Sequence, residues 1–389
     1  MSYKNTEKIK QGIVLAWGEI FLKSAGVQKL LKKRLVNNLF HFLKKQGVDF
    51  KIYSWHERIF IETKDFKKAS SVLKKTFGTV WFARTLFFAG ANFEELNKFI
   101  KENYQNWIKR DESFALRIKK DSLIKKGTME IIDEVAKNIK RKVNLSHPKR
   151  EIFIEGRKQG WFLYFKKQKG QGGLPLGSQG KTLCLISGGI DSPAAAYLIT
   201  KRGAENIWLH FHSFPLVSEK SIEKVKETAE IFLNYQPKLK VYFVPFSEIQ
   251  KEIKINIPAK YRVLFYRRKM LEIAQKIAQK ENCQALVTGE SLGQVSSQTL
   301  PNFQITQEKL KIPVLRPLIG LDKEEIIDLA KQIKTFEISI KPQEDCCTLF
   351  VPKGQTAAGK IEIVKKLEKD LKLSRLILRS LKEAEIIIR

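Results

Sequence analysis

The chain has 389 residues, 43% hydrophobic and 29% charged, the proportions of a globular protein with room for two or three domains that each bury a core. No stretch of about 18 uncharged apolar residues is present to span a bilayer, Glu19 breaks the apolar run near the start with no cleavage site after it, and four cysteines suit the reducing cytoplasm. The net charge of +31 divides into +21 over residues 1–180 and +10 over residues 181–389, an excess that selects polyanions, nucleic acid first, against the competing explanation of a lysine-rich solvated surface.

In chain order, the first 90 residues read as strand, helix, strand, strand, helix, strand. An apolar run at 13–17 precedes a helix at 27–43 with Leu30, Leu31, Leu35, Leu39 and Leu43 at helical spacing. Strands at 50–55 and 59–61, a helix at 66–77 and a strand at 80–88 complete the ferredoxin-like split βαβ order. A helix at 94–107, a strand at 114–118, a helix at 129–143 and a hairpin at 151–165 follow. Around that hairpin Arg157, Lys158, Trp161, Tyr164, Phe165, Lys166 and Lys167 interleave charge with rings. This mixture suits phosphate contacts and stacking on bases, although hairpin aromatics are commonly core. Residues 168–180 hold five glycines and a proline without apolar period, a boundary. Beyond it strands at 182–186, 207–211, 241–245 and 285–288 alternate with helices at 193–202, 221–233, 263–280 and 323–333, which predicts a parallel sheet covered on both faces.

The chemistry concentrates at residues 181–203, KTLCLISGGIDSPAAAYLITKRG, where Ser187, Gly188, Gly189, Ile190, Asp191 and Ser192 lie between a buried strand and a helix. Two glycines let successive N–H groups converge into an anion-binding nest. Ser192 is expected to cap the helix and Pro193 to occupy its first turn, with the helix dipole aimed at the same point. A phosphate fits there. The loop is not GxxxxGK[ST], because no lysine follows the glycines.

SGGIDS resembles the PP-loop of the N-type ATP pyrophosphatases, which cleave ATP between the α and β phosphates and leave AMP on a substrate carbonyl. The resemblance extends over nearly the whole chain. WGEIFLKS (17–24), GGLPLGSQGK (172–181), HFHSFP (210–215), VTGESLGQVSSQT (287–299), PVLRPLIGLDKEEI (313–326) and EDCCTLFVPK (344–353) resemble successive blocks of the tRNA 4-thiouridine synthases. That family resemblance implies an α/β chain in four parts. An α+β ferredoxin-like domain covers 1–60, with elements up to about 90 interleaved, and an α/β RNA-binding THUMP domain covers 61–167. A Gly-rich linker over 168–180 then leads to a doubly wound parallel-sheet PP-loop ATP pyrophosphatase domain over 181–389, of the adenine nucleotide alpha hydrolase type.

The same resemblance implies ATP and Mg²⁺ as cofactors, tRNA as substrate, and replacement of the C4 oxygen of a uridine by sulfur. Nucleotide contacts carry over to Leu185, Ile186, Ser187, Gly188, Gly189, Asp191, Ser192, His210, Phe211, Arg267, Gly289 and Gln298, and catalytic roles to Asp191, Lys323 and Cys346. Three of these have plainer readings: His210 as a satisfied strand-end histidine, Arg267 as helix surface beside Arg262, Arg268 and Lys269, and Lys323 as a first-turn residue after an Asp322 N-cap. Cys184 and Cys283 read as core cysteines. A zinc site is not expected, since CxxC is absent and the five histidines are scattered, whereas Asp191 is expected to orient Mg²⁺ or the phosphates. Longer family members carry a C-terminal rhodanese domain with a second cysteine, whereas this sequence ends at Arg389 after a charged, helical-looking tail. The expected sulfur donor is therefore a cysteine desulfurase or a separate rhodanese-like protein, and the expected assembly a homodimer in the cytoplasm. A 2-thiolation or lysidine-forming enzyme, or a non-catalytic tRNA-binding protein, are the rival functions.

Overall fold

The computed structural model describes residues 9–55, 57–90, 93–342 and 354–389, which divide into two compact units, Met1–Gly173 and Leu174–Arg389. Among the described residues no helix is long and apolar enough to cross a membrane.

The first unit is built on one sheet of eight strands: β1 (Ile9–Trp17), β2 (Lys51–Ser54), β3 (Ile59–Glu62), β4 (Thr79–Ala89), β5 (Phe114–Lys120), β6 (Arg150–Arg157), β7 (Gly160–Tyr164) and β8 (Gln168–Lys169). The order is β2-β3-β1-β4-β7-β6-β5, with β8 also on β4. The first four strands form the antiparallel 2-3-1-4 arrangement expected of a ferredoxin-like unit. β4 then pairs antiparallel with β7, so the segment after residue 90 extends the same sheet. Helix Ala25–Lys45 covers it with Leu31, Leu35, Leu39, Phe42 and Leu43, a stripe at i, i+4 and i+7 spacing.

The hairpin takes the commoner of its two readings, that of core. Trp161, Phe162 and Tyr164 are buried and no base can stack on them. Arg157 is also internal. It bonds Glu155 and pairs with Glu57 at 2.5 Å, while Arg58 reaches Glu155 at 2.8 Å and the Tyr164 hydroxyl donates to Glu155 at 3.2 Å. A carboxylate buried at 1% exposure has to be neutralised, which is why these basic residues face inward.

The second unit holds a six-stranded sheet of β9 (Lys181–Leu185), β10 (Glu205–His212), β11 (Lys240–Pro245), β12 (Ala285–Val287), β13 (Val314–Leu315) and β14 (Glu385–Ile388), ordered β13-β12-β9-β10-β11-β14. Five strands run parallel and β14 is antiparallel on β11. The tail is thus helical only as far as Ser374–Lys382; in Glu385–Ile388 three consecutive β-branched isoleucines form a strand that closes the sheet edge. From β9 the chain proceeds outward through β10 and β11, then returns to place β12 on the other side of β9. The order in which strands are added reverses between the parallel neighbours β9 and β12, and ligands of such sheets bind beyond the carboxyl ends at that point.

Among the described residues the helices Ser247–Asn256, Leu300–Gln307 and Phe336–Ser339 escaped the sequence pattern, and the helix expected over 129–143 ends at Asn138. In helix Arg262–Lys280, Arg268 is fully buried, not surface. It pairs with Glu308 at 2.7 Å and Glu368 at 3.1 Å and so anchors helix Ile361–Lys369. Burial opposes ionisation of Glu368, but hydrogen bonds from Arg268, Lys269 and Lys309 hold its carboxyl down at about 2.

Candidate active site

β9 stops at Leu185, half-buried at the edge of the core, and Ile186 continues its line by donating to Leu209 O at 2.8 Å. The chain then turns through Gly188, whose φ of +80° favours glycine, into helix Asp191–Lys201. Ser192 does not cap that helix. The helix begins at Asp191, so Ser192 is already its second residue and its hydroxyl folds back to accept the Ser187 N–H at 3.0 Å. The Gly189 N–H donates to Ser187 Oγ at 3.3 Å, and Ser339 Oγ donates to Gly189 O at 3.4 Å. The loop is held from inside by two hydroxyls and from outside by a third.

Gly289, just beyond β12, passes close to the start of the helix that follows this turn. A Cβ at residue 289 would stand 2.7 Å from Ser192 N and 2.8 Å from Asp191 C and Ser192 Cα. Only glycine allows two backbones to pass at that distance. The loop that follows is tied by Gln298, whose Oε1 accepts the Ser291 N–H at 3.1 Å and whose carbonyl accepts the Gly293 N–H at 2.8 Å. Buried at 6% exposure, Gln298 organises the loop. Ser291 Oγ and Leu292 N donate to Leu321 O and Ile319 O, tethering it to the stretch that leads into helix Lys323–Gln332.

That helix begins as expected. Asp322 accepts the Glu325 N–H at 2.9 Å and Glu325 accepts the Asp322 N–H at 3.0 Å, a capping box. The cap directs Lys323 back across the crevice, where its ammonium donates to Asp191 Oδ1 at 2.6 Å. Gln294 Nε2 donates to Asp191 Oδ2 at 2.9 Å. Residues 191, 294 and 323, from three separate segments, therefore converge on one carboxylate beside the glycine turn. Gln294 was absent from the sequence expectations; its only signal was its place in the VTGESLGQVSSQT block.

His210 and Phe211 stand at the end of β10, but their rings belong to the interior. Phe211 packs edge-on against Phe246. His210 Nδ1 is 2.7 Å from Ile186 O and Nε2 is 3.2 Å from Ser221 Oγ. A carbonyl only accepts, so Nδ1 carries the proton and Nε2 accepts from Ser221. The ring thus braces the residue before the PP-loop. Burial pushes its pKa down to about 4. The unfolded imidazole titrates near 6.5, so the stability that His210 contributes is full above pH 6.5 and is lost as pH falls toward 4. Between pH 7 and pH 5 the expected loss is about 2 kcal/mol. Burial shifts His212 the same way, so the difference between parent and His210→Asn isolates one residue. Urea unfolding at the two pH values should show a pH dependence smaller by that amount in the variant; equal slopes would remove this role.

Arg267 Nη1 donates to Glu290 Oε1 at 2.8 Å, from helix Arg262–Lys280 to the residue after Gly289. Cys184 and Cys283 are buried with thiol pKa values raised by burial, Cys283 to about 11, and act as core residues. Cys346 and its neighbours 344–347 lie outside the described residues. On the chain before them, Lys224 Nζ donates to Ser339 O at 2.7 Å and Lys341 O at 2.8 Å. On the chain after them, Thr299 Oγ1 donates to Ala357 O at 2.6 Å and Asn302 Nδ2 to Thr356 O at 2.9 Å. Both flanks are bonded to elements that carry the site.

The glycine turn, its aspartate and the crossing lysine fall within a match to the Thiamine biosynthesis protein (ThiI) family over residues 177–373, preceded by matches to the ThiI ferredoxin-like domain over 13–83 and the THUMP domain over 90–166. The chain belongs to the ThiI family. It is 37% identical to a probable tRNA sulfurtransferase of Alkaliphilus metalliredigens over 96% of this chain and 97% of that protein. A second, from Caldanaerobacter subterraneus subsp. tengcongensis, is 38% identical over 95% and 97% respectively. Among solved structures, a 4-thiouridine synthetase in complex with RNA and bound ATP is 31% identical, with a TM-score of 0.87 over 97% of this chain and 99% of that one. The ferredoxin-like, THUMP and parallel-sheet PP-loop parts of this ThiI-family chain accord with the fold read from the sequence.

Proposed function

We propose that the chain is an ATP-dependent tRNA sulfurtransferase that converts a uridine to 4-thiouridine. The observation that carries this reading is the meeting of Asp191, Lys323 and Gln294 beside a glycine turn at the β9–β12 reversal. N–H groups of the turn and of the helix start receive phosphate oxygens there. Lys323, 45% exposed, has the freedom to exchange its bond to Asp191 for one to a phosphate. Gly289 and Gln298 keep the crevice wall close, and Arg267 offers its guanidinium on the adjoining helix.

Among the described residues no cluster of three or more His, Cys, Asp or Glu could hold a metal ion. The one carboxylate beside the glycine turn, that of Asp191, would help to hold Mg²⁺ arriving with the nucleotide, since this ion takes one or two carboxylates and keeps other oxygen ligands. When bound it would neutralise charge on the leaving pyrophosphate.

The uridine O4 attacks the α phosphorus and the bond from that phosphorus to the bridging oxygen breaks. AMP is thereby joined to O4, a leaving group in place of a poor one. The outer sulfur of a persulfide carried on Cys346 then attacks C4 and AMP departs; a second thiol breaks the remaining S–S bond to free the 4-thiouridine, and an external thiol reductant returns the resulting disulfide to two thiols. A cysteine desulfurase or a rhodanese-like protein supplies that sulfur, and a homodimer allows tRNA held by one chain to reach the other chain's site. The +21 charge of residues 1–180 supplies the affinity for tRNA phosphates, so binding should weaken steeply as salt rises.

Cys346→Ser separates the two half-reactions. It should leave tRNA-dependent pyrophosphate release within about threefold of the parent and reduce thiolation by at least about 10³-fold, the scale of losing an essential nucleophile. Nucleoside mass spectrometry of the treated tRNA reads the product. Recovery of 2-thiouridine or lysidine, or thiolation undiminished in the variant, would reject the proposal.

A further inference from the structure

The strongest unassigned feature near the crevice is a carboxylate shared by two guanidinium groups. Glu290 is buried at 8% exposure, with Arg267 Nη1 2.8 Å from Oε1 and Arg316 Nε 2.7 Å from Oε2. Thr288 Oγ1 donates to Oε2 at 2.9 Å. Arg316 is itself pinned: Nη1 donates to Gln307 Oε1 at 3.1 Å, and its guanidinium lies 4.4 Å above the Phe303 ring. Arg316 and Glu290 follow β13 and β12, which are paired in parallel at Leu286–Val314 and Val287–Leu315. The residue before Glu290 is Gly289, whose backbone passes close to that of Asp191 and Ser192.

We propose that Glu290 is a positioning residue for the nucleotide: its carboxylate sets the Arg267 guanidinium, and Arg316 and Thr288 set the carboxylate. This rests on Arg267 as a nucleotide contact. Arg267 has a long side chain with several rotamers, and its bond to a fixed carboxylate removes that freedom before the ligand arrives. Its side chain keeps 22% exposure, enough to leave part of the fork reachable, while Arg316 at 11% serves as the brace. The carboxylate cannot drift, because each of its oxygens is held by a residue of a different element.

The sign of the effect distinguishes position from charge. Two guanidinium groups against one carboxylate leave surplus positive charge, so deleting the carboxylate makes the crevice more attractive to ATP by charge alone. Loss of orientation acts in the opposite direction. A carboxylate that only stabilised the fold would lower the melting temperature without selecting Arg267.

The test is a double-mutant cycle on the full chain, with ATP affinity measured by calorimetry and KM and kcat by tRNA-dependent pyrophosphate release. Glu290→Gln should weaken ATP about tenfold with kcat within about threefold, the scale of one charge-assisted hydrogen bond. Arg267→Ala should weaken it similarly, and the double variant should be no weaker than Arg267→Ala alone. ATP binding that tightens or stays unchanged in Glu290→Gln, or single effects that multiply in the double variant, would overturn the proposal. Should Arg267→Ala leave ATP affinity intact, the nucleotide role of Arg267 fails instead, whatever Glu290→Gln does. If Glu290→Gln does not fold, Arg316→Met releases one side of the same carboxylate. It too should weaken ATP only where Arg267 is present, and no weakening would count equally against the idea.

Discussion

Asp191→Asn should lower tRNA-dependent pyrophosphate release by about 10³-fold, the scale of removing one preorganised electrostatic group from a reacting centre. The substitution keeps the shape and the acceptor toward Gln294 but removes the charge that Lys323 meets at 2.6 Å. The ion pair is partly exposed, at 45% and 21%, so its loss should cost stability less than about 1 kcal/mol. Circular dichroism and thermal melting should therefore match the parent while activity collapses. Release of labelled pyrophosphate within a few-fold of the parent would show that this carboxylate has no part in the chemistry. Loss of the melting transition would show that the pair is structural.

Gly289→Ala should be nearly as damaging by a different route. The added methyl carbon would sit under 3.0 Å from three backbone atoms at the start of the PP-loop helix, and backbone cannot rotate away as a flexible side chain does. Overpacking of this kind costs about 1–3 kcal/mol, which lowers the melting temperature by roughly 2–4 °C per kcal/mol in a unit of this size. The larger effect is on geometry. If relief comes from moving Asp191 and Ser192 by a few tenths of an ångström to one ångström, activity falls about 100-fold. Calorimetry with ATP beside a melting curve reads both. Normal ATP affinity and activity in a folded Gly289→Ala protein would mean that the close passage of the two backbones is dispensable.

The legible parts of the chain were those in which local chemistry repeats or terminates. β9, β10 and β11 are continuous apolar runs, and the helix after Asp322 announces itself by a cap and an acid three residues on. The glycine turn was visible for the same reason. Contacts between distant segments carry no such signature: Gln294 and Asp191 are 103 residues apart and meet through an amide that any surface glutamine could present. Ser192 misled because a serine before a proline reads as a cap, whereas the helix begins two residues sooner than that cap implies. The interleaved rings of the hairpin allowed either a stacking platform or core, and β7, buried along its whole length, takes the commoner core role. β14 was masked by the basic, helix-forming residues before it, and only the vacant edge of β11 makes a strand of it.

The pairing of β4 with both β1 and β7 has a practical consequence. Cutting the chain near residue 90, where two recognised families of segment meet, would strip β4 of a neighbour and expose a ladder of amide groups alongside Leu86 and Phe88. Chimeras intended to exchange RNA preference between relatives should accordingly transplant the whole span up to Gly173 as one cassette.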